Sequence, residues 1–177
     1  MTKIKPNVIC VSGKAQHGKD TVANILCDTL TKKGYRVLVT HYADLLKYIC
    51  KTFFGWDGKK DEGGRHILQY VGTDVVRQQR PNFWVDFVIS IIELFGDNWD
   101  YVIIPDTRFP NEVSAIKEHF PTAKHLRVIR DGFDSSLTAE QKGHPSETAL
   151  DDSIPDAVVN NGGSLAELIC EVANLEL

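Results

Sequence analysis

The segment Gly13-Lys14-Ala15-Gln16-His17-Gly18-Lys19 constrains this chain more than any other. It fits GxxxxGK and lies between the apolar run Asn7–Ser12 and a stretch, Asp20 to Lys33, whose residues Val22, Ala23, Ile25, Leu26 and Leu30 recur near helical spacing. Glycines let such a loop wrap closely, so successive N–H groups turn inward, and the first turn of the following helix adds a favourable dipole. A strand, this loop and a helix together make a phosphate-binding site. Lys19 is its mobile point charge, reaching the β- and γ-phosphates of a nucleotide.

The next position departs from the pattern. Asp20 stands where Ser or Thr normally offers a hydroxyl to Mg²⁺, and Thr21 follows about 100° further around the helix. A carboxylate beside a triphosphate is repulsive unless a cation lies between them. Asp20 is therefore expected to meet Mg²⁺ directly or through water, with Thr21 as the other candidate. The competing reading is a first-turn aspartate favoured only by the helix dipole.

The rest of the chain alternates strand and helix patterns. Strands are expected at Tyr35 to His41, Tyr101 to Ile104, Lys124 to Ile129 and Ala157 to Asn160, beside the first at Asn7 to Ser12. Helices are expected from Asp44, read as an N-cap, through Phe54, and over Arg65 to Gln79, Phe83 to Phe95, Asn111 to Phe120 and Ser164 to Leu175. Residues 55–64 hold four glycines and read as a loop; Asp131 to Leu150 reads as a polar flap with one short helix. Strands separated by helices imply an α/β fold, a five-stranded parallel sheet with helices on both faces. Ligands then bind beyond the carboxyl ends of the strands, where the glycine loop lies.

Composition narrows the function classes. The 177 residues suit one domain, and a net charge of −4 argues against a grip on duplex nucleic acid. No run approaches the roughly 18 apolar residues of a membrane span, and Met1 onward shows no leader pattern, so no membrane partner and a cytoplasmic location are expected. Cys10, Cys27, Cys50 and Cys170 are scattered without metal spacing and read as small apolar residues in a reducing compartment.

Further residues gather at the same strand ends. Tyr101 to Asp106 is an apolar strand ending in an aspartate that could hold Mg²⁺ or orient the attacking oxygen, and Arg108 follows in the same loop. Arg65, Gln69, Thr73 and Arg77 are four apart, drift only about 40° per step and form one polar stripe. Alone, such a stripe reads as a solvated face; beside Pro81-Asn82-Phe83-Trp84 it suits a phosphate and a stacked base. Trp84 reads equally well as core. Arg130, Lys142 and His144 bracket the flap, whose closure would exclude water, although His144-Pro145-Ser146-Glu147 also reads as a turn before a capped helix. Asn161 and Gly162, in the turn after the last strand, suit backbone contacts to a purine edge.

GKAQHGKDT, LQYVGTDVVRQQRPNFW, PDTRFPNE, HPSE and VVNNGGSLAEL together resemble the deoxynucleoside monophosphate kinases of bacteriophages and prophages, from about Val8 to Leu168. The resemblance implies a P-loop kinase fold with a helical acceptor-binding region at about 44–96 and a lid at about 131–150, all within one domain spanning 1–177. It implies ATP as donor, Mg²⁺ as cofactor and a deoxynucleoside monophosphate as acceptor, giving ADP and dNDP. Asp20 or Thr21 with Asp106 would then hold the metal, Lys19, Arg108 and Arg130 the transferring phosphoryl group, and Asp44, Arg65, Gln69, Thr73, Arg77 and Trp84 the acceptor. Two other readings stand beside it: dephospho-CoA or another small phosphometabolite as acceptor, or a nucleotide-hydrolysing switch or nucleotide-binding module. Base preference and oligomeric state are left open, a homodimer included.

Overall fold

The computed structural model describes residues 5–59 and 61–176. The reading of Met1 to Ile4 as leaderless, and Lys60 in the 55–64 loop, lie outside the described residues. The strands are β1 (Asn7–Ser12), β2 (Val37–Val39), β3 (Tyr101–Ile104), β4 (Lys124–Ile129) and β5 (Ala157–Asn160). They form one parallel sheet in the order β2-β3-β1-β4-β5, as the alternation of patterns predicts. In register, Asn7 pairs with Tyr101 and Cys10 with Ile104, while Ser12 pairs with Arg127. The chain leaves β1 toward β2 on one side and returns to β4 on the other. The carboxyl ends of β1 and β3 thus flank the crevice where a ligand would sit.

Strand alternation divides the core in two. Val8, Cys10, Val102 and Ile104 face one way, against Tyr42, Trp84, Val85, Val88, Ile89, Ile116 and Phe120. Those residues come from α2 (Tyr42–Phe53), α4 (Phe83–Phe95), α5 (Pro110–His119) and the residue that ends α5. Ile9, Val11, Ile103, Leu126 and Val128 face the other way, against Val22, Leu26, Leu30, Leu168 and Val172 of α1 (Lys19–Lys32) and α8 (Leu165–Ala173). A helix layer covers each face.

Four local expectations are corrected. The N-cap of α2 is His41, not Asp44; Asp44 is the third residue of the helix and accepts the His41 N–H at 3.2 Å. The glycine-rich loop is shorter than read, because Asp61 accepts the Gly64 N–H at 2.8 Å and starts α3 (Glu62–Gln69). The helix read over 65–79 is α-helical only in its first part: α3 continues as a π-helix over Tyr70–Arg77. The flap holds two short helices, α6 (Ala139–Gly143) and α7 (Pro145–Thr148), where one was expected. Among the described residues no helix is long and apolar enough to cross a membrane.

Candidate active site

β1 delivers the chain into a loop that only glycine can start and close. Gly13 has φ +145° and Gly18 φ +92°; a Cβ would stand 2.4 Å from the Val128 carbonyl oxygen at the first and 2.3 Å from Asn161 Nδ2 at the second. Gly13→Ala is expected to destabilise the fold by about 3 kcal/mol, because neither the backbone angle nor the Val128 carbonyl can yield cheaply. Urea denaturation checks this, and a midpoint equal to the parent's would refute it. Gln16 holds φ 63° without being glycine. Its side chain donates to Ser136 Oγ at 2.9 Å and accepts the Ser136 N–H at 3.0 Å, which ties the tip of the loop to the flap.

Lys19 arches back across this loop, donating to the carbonyls of Gly13 at 2.9 Å and Lys14 at 2.8 Å. Burial lowers its pKa to about 8, and Arg108 pushes the same way against the carboxylates of Glu147, Asp20 and Asp106. An ammonium so poorly solvated gains most from an incoming anion.

The loop after β3 makes the facing wall. Asp106 accepts the N–H groups of Tyr42 at 3.0 Å and Ala43 at 2.9 Å, the first amides of α2, and burial raises its pKa. Glu112, fully buried, accepts the N–H of Arg108 at 2.7 Å and of Phe109 at 3.0 Å, and its other oxygen is ion-paired with Arg77 at 2.5 Å. The Arg77 guanidinium also lies 4.0 Å over the Phe109 ring. One carboxylate thereby fixes an arginine from the helical region and the backbone of the loop that carries Arg108.

Between these walls runs a cleft of about 660 Å³. Ala15, Gln16, Lys19 and Asp20 line it at the loop, Asp106 and Arg108 along the β3 wall, and Arg65, Gln69, Thr73 and Arg77 on the helical side. The four-residue stripe is thus one wall of the cleft rather than a solvated face. Trp84 is a core residue, 2% exposed, that also lines the cleft and donates Nε1–H to the Gly72 carbonyl in the π-helix at 3.0 Å. Gly13, Lys14 and His17 line a second cavity of about 240 Å³ with Arg108 and Glu147.

Other sequence candidates are placed elsewhere. Asp44 and Thr21 do not line the cleft; Asp44 pairs with Lys47 at 3.1 Å and with His41 at 3.4 Å. Arg130 lies 4.3 Å over the Phe133 ring, and its N–H donates to His17 Nδ1. Lys142 is paired with Asp134 inside the flap, and His144 caps α7 by accepting the Ser146 N–H. These three stand outside the cleft lining. Asn161 donates from its side chain to the His17 carbonyl at 2.9 Å, and the Gly162 N–H is taken up by Asn160.

Three contributors escaped the sequence reading. Glu112 was legible only as the opening of a helix; its role as a buried counter-ion to Arg77 depends on a pairing 35 residues apart. His41 lines the cleft 3.6 Å from Asp20, and Glu147 reaches the loop itself. The flap also carries Asp131, Asp134 and Glu140, so nothing in its local sequence singled out Glu147.

The donor set suits Mg²⁺. Asp20 and Asp106 put hard carboxylate oxygens into one cleft, near enough to act on the same Lys19 ammonium. The described residues hold no cluster of three or more metal-ligating side chains, and Mg²⁺ does not need one, since it keeps several waters and takes ligands from phosphate.

Comparison with known proteins places the chain. A family model described as "Deoxynucleotide monophosphate kinase" matches residues 39–172. The deoxynucleotide monophosphate kinase of Enterobacteria phage T4 is 34% identical over 112 residues, covering 62% of this chain and 44% of that protein. The Escherichia phage RB69 protein of the same name is 30% identical over 113 residues, covering 63% and 43%. The chain therefore spans under half the length of these curated relatives. Among solved structures, an APS kinase of Mycobacterium tuberculosis bound to AMPPNP and APS superposes with TM-score 0.56 at 12% identity, covering 95% of each chain. A gluconokinase of Sinorhizobium meliloti gives 0.51 at 17% identity, covering 96% of this chain and 90% of that one. At such identities these two speak for the fold alone. The family match runs from the end of β2 through most of α8 and takes in the stripe, the Asp106–Glu112 wall and the flap. This chain belongs to the deoxynucleotide monophosphate kinase family.

Proposed function

We propose that the chain transfers the γ-phosphoryl group of ATP to a deoxynucleoside 5′-monophosphate, producing ADP and dNDP. The observation that carries this reading is the single cleft running from Lys19 to Arg77, with Arg108 lining it. One end has the groups for a donor's phosphates and the other a second set of cations for an acceptor's. Phosphoryl transfer asks for alignment and charge neutralisation more than for covalent help.

The inward amides and Lys19 bind the donor phosphates. Arg108 neutralises charge as it spreads over the moving phosphoryl group. Arg77, locked by Glu112 and Phe109, and Arg65 take the acceptor phosphate, whose own oxygen is the nucleophile. Gln69 and Thr73 offer hydrogen bonds to the acceptor, and Trp84 is an apolar floor beneath it. Asp20 and Asp106 would hold Mg²⁺, which would supply charge neutralisation for the donor's phosphates. Residues 44–96 act as the acceptor-binding region and 131–150 as the lid; Arg130, Lys142 and His144 reach phosphate only when that lid moves. Asn161 and Gly162 face the nucleoside half of the donor.

The test is ADP release from Mg·ATP with each dNMP, each NMP and dephospho-CoA. Stimulation by one or more dNMPs is expected. Arg77→Ala should raise the acceptor KM on the order of tenfold to a hundredfold, the loss of one charge-assisted hydrogen bond, and leave the KM for ATP unchanged. Stimulation by dephospho-CoA alone would keep the chemistry and replace the acceptor. Turnover indifferent to every acceptor would favour a hydrolysing switch.

A further inference from the structure

The carboxylate of Glu147 reaches both the glycine loop and Arg108 from the flap. One oxygen accepts the Ala15 N–H of the glycine loop at 2.8 Å, and the other is ion-paired with the Arg108 guanidinium at 2.5 Å. The same guanidinium donates to the Ser146 carbonyl at 3.2 Å. The contact is sheltered, the Glu147 side chain being 10% exposed. Two further interactions hold this segment down: Lys14 Nζ donates to the Glu147 carbonyl at 2.7 Å and is ion-paired with Asp151. Glu147 also acts on the Lys19 ammonium, favouring its charged form.

A loop amide and a guanidinium meeting on one anion, with an ammonium acting on it from nearby, are the groups a terminal phosphate requires. A carboxylate offers the same acceptor oxygens with less charge. Ala15 has a single N–H, so it cannot serve Glu147 and a phosphate with full strength at once. We propose that Glu147 is a phosphate surrogate built into the chain: without nucleotide it occupies a phosphoryl position between Ala15 and Arg108 and holds both in place, and the donor's terminal phosphate displaces it. Glu147 is then a positioning residue for Arg108, and its release frees residues 146–149 from the loop. The idea rests on the ATP-binding reading above.

Hydrogen exchange on the full chain with and without Mg·ATP tests it. Slower exchange over 13–19 together with faster exchange over 146–149 is the expected result. Slower exchange over 13–19 with unchanged or slower exchange over 146–149 overturns the surrogate but keeps ATP binding. No change over 13–19 overturns both. In parallel, Glu147→Gln keeps an acceptor for the Ala15 N–H but loses the ion pair with Arg108. ATP should bind that variant about tenfold more tightly, since a weaker competitor must leave. Equal or weaker binding, with Tm showing the variant folded, would overturn the displacement.

Discussion

Lys19→Met is expected to lower kcat for phosphoryl transfer by about a thousandfold, the scale seen when a preorganised charge is removed from a transition state. Its cost in stability at pH 7 is expected to be small, within about 1 kcal/mol, because two effects oppose. The substitution strands the Gly13 and Lys14 carbonyls, but it also removes an ammonium whose pKa burial has pulled down to about 8. The linkage has a definite sign. Between the folded value of about 8 and the ordinary 10.5, the unfolded chain keeps a proton on Lys19 that the folded chain has released. This residue's contribution to stability therefore rises with pH across that window and is flat below it. Other buried groups titrate in the same window, Cys10 among them with a thiol pushed up to about 12, so the readout is the difference. Between about pH 7 and about pH 10, urea denaturation should show stability changing more favourably in the parent than in Lys19→Met. A variant that keeps near-parental turnover would remove the phosphate-loop reading altogether.

Glu112→Ala is expected to be the most damaging single substitution for the fold, costing about 4 kcal/mol. The carboxylate is 0% exposed and serves three donors, namely the Arg77 guanidinium and the N–H groups of Arg108 and Phe109. Its removal leaves a half-buried cation without its counter-ion and two amides without acceptors, each a large penalty in a low-dielectric setting. Glu112→Gln can still accept from the amides, so it should cost roughly half as much. The acceptor KM should nevertheless rise in Glu112→Gln, because Arg77 is no longer held by charge. Combining Glu112→Ala with Arg77→Ala should cost less than the sum of the two, since the stranded cation is gone. A urea-denaturation cycle over the four proteins measures this coupling, and strict additivity would refute the ion pair's role.

Much of the architecture was legible because its determinants are local. The runs Asn7–Ser12, Tyr101–Ile104, Lys124–Ile129 and Ala157–Asn160 became strands with those bounds, and Phe83–Phe95 became a helix with those bounds. The errors fell where a tertiary partner overrode local preference. Asp44 looked like a cap, but His41 takes that position while Asp106 approaches the first amides of α2 from another loop. The regular helix read over Arg65 to Gln79 opens into a π-helix, where the buried Trp84 indole donates to the Gly72 carbonyl.

At the site the same division holds. The spacing of GxxxxGK and of Arg65, Gln69, Thr73 and Arg77 is set by the chain itself, since a helix of known pitch carries residues four apart along one side. Which of the charges would meet was not written there. Arg77 with Glu112, Arg108 with Glu147 and Asp106 with the amides of α2 join segments 35 to 64 residues apart. The sequence by itself determined a parallel α/β sheet, a phosphate loop at its carboxyl edge and a cationic stripe. Only the tertiary structure decided which carboxylate holds which cation, because such a pairing depends on where sheet order β2-β3-β1-β4-β5 brings distant loops together and on how far water is excluded between them.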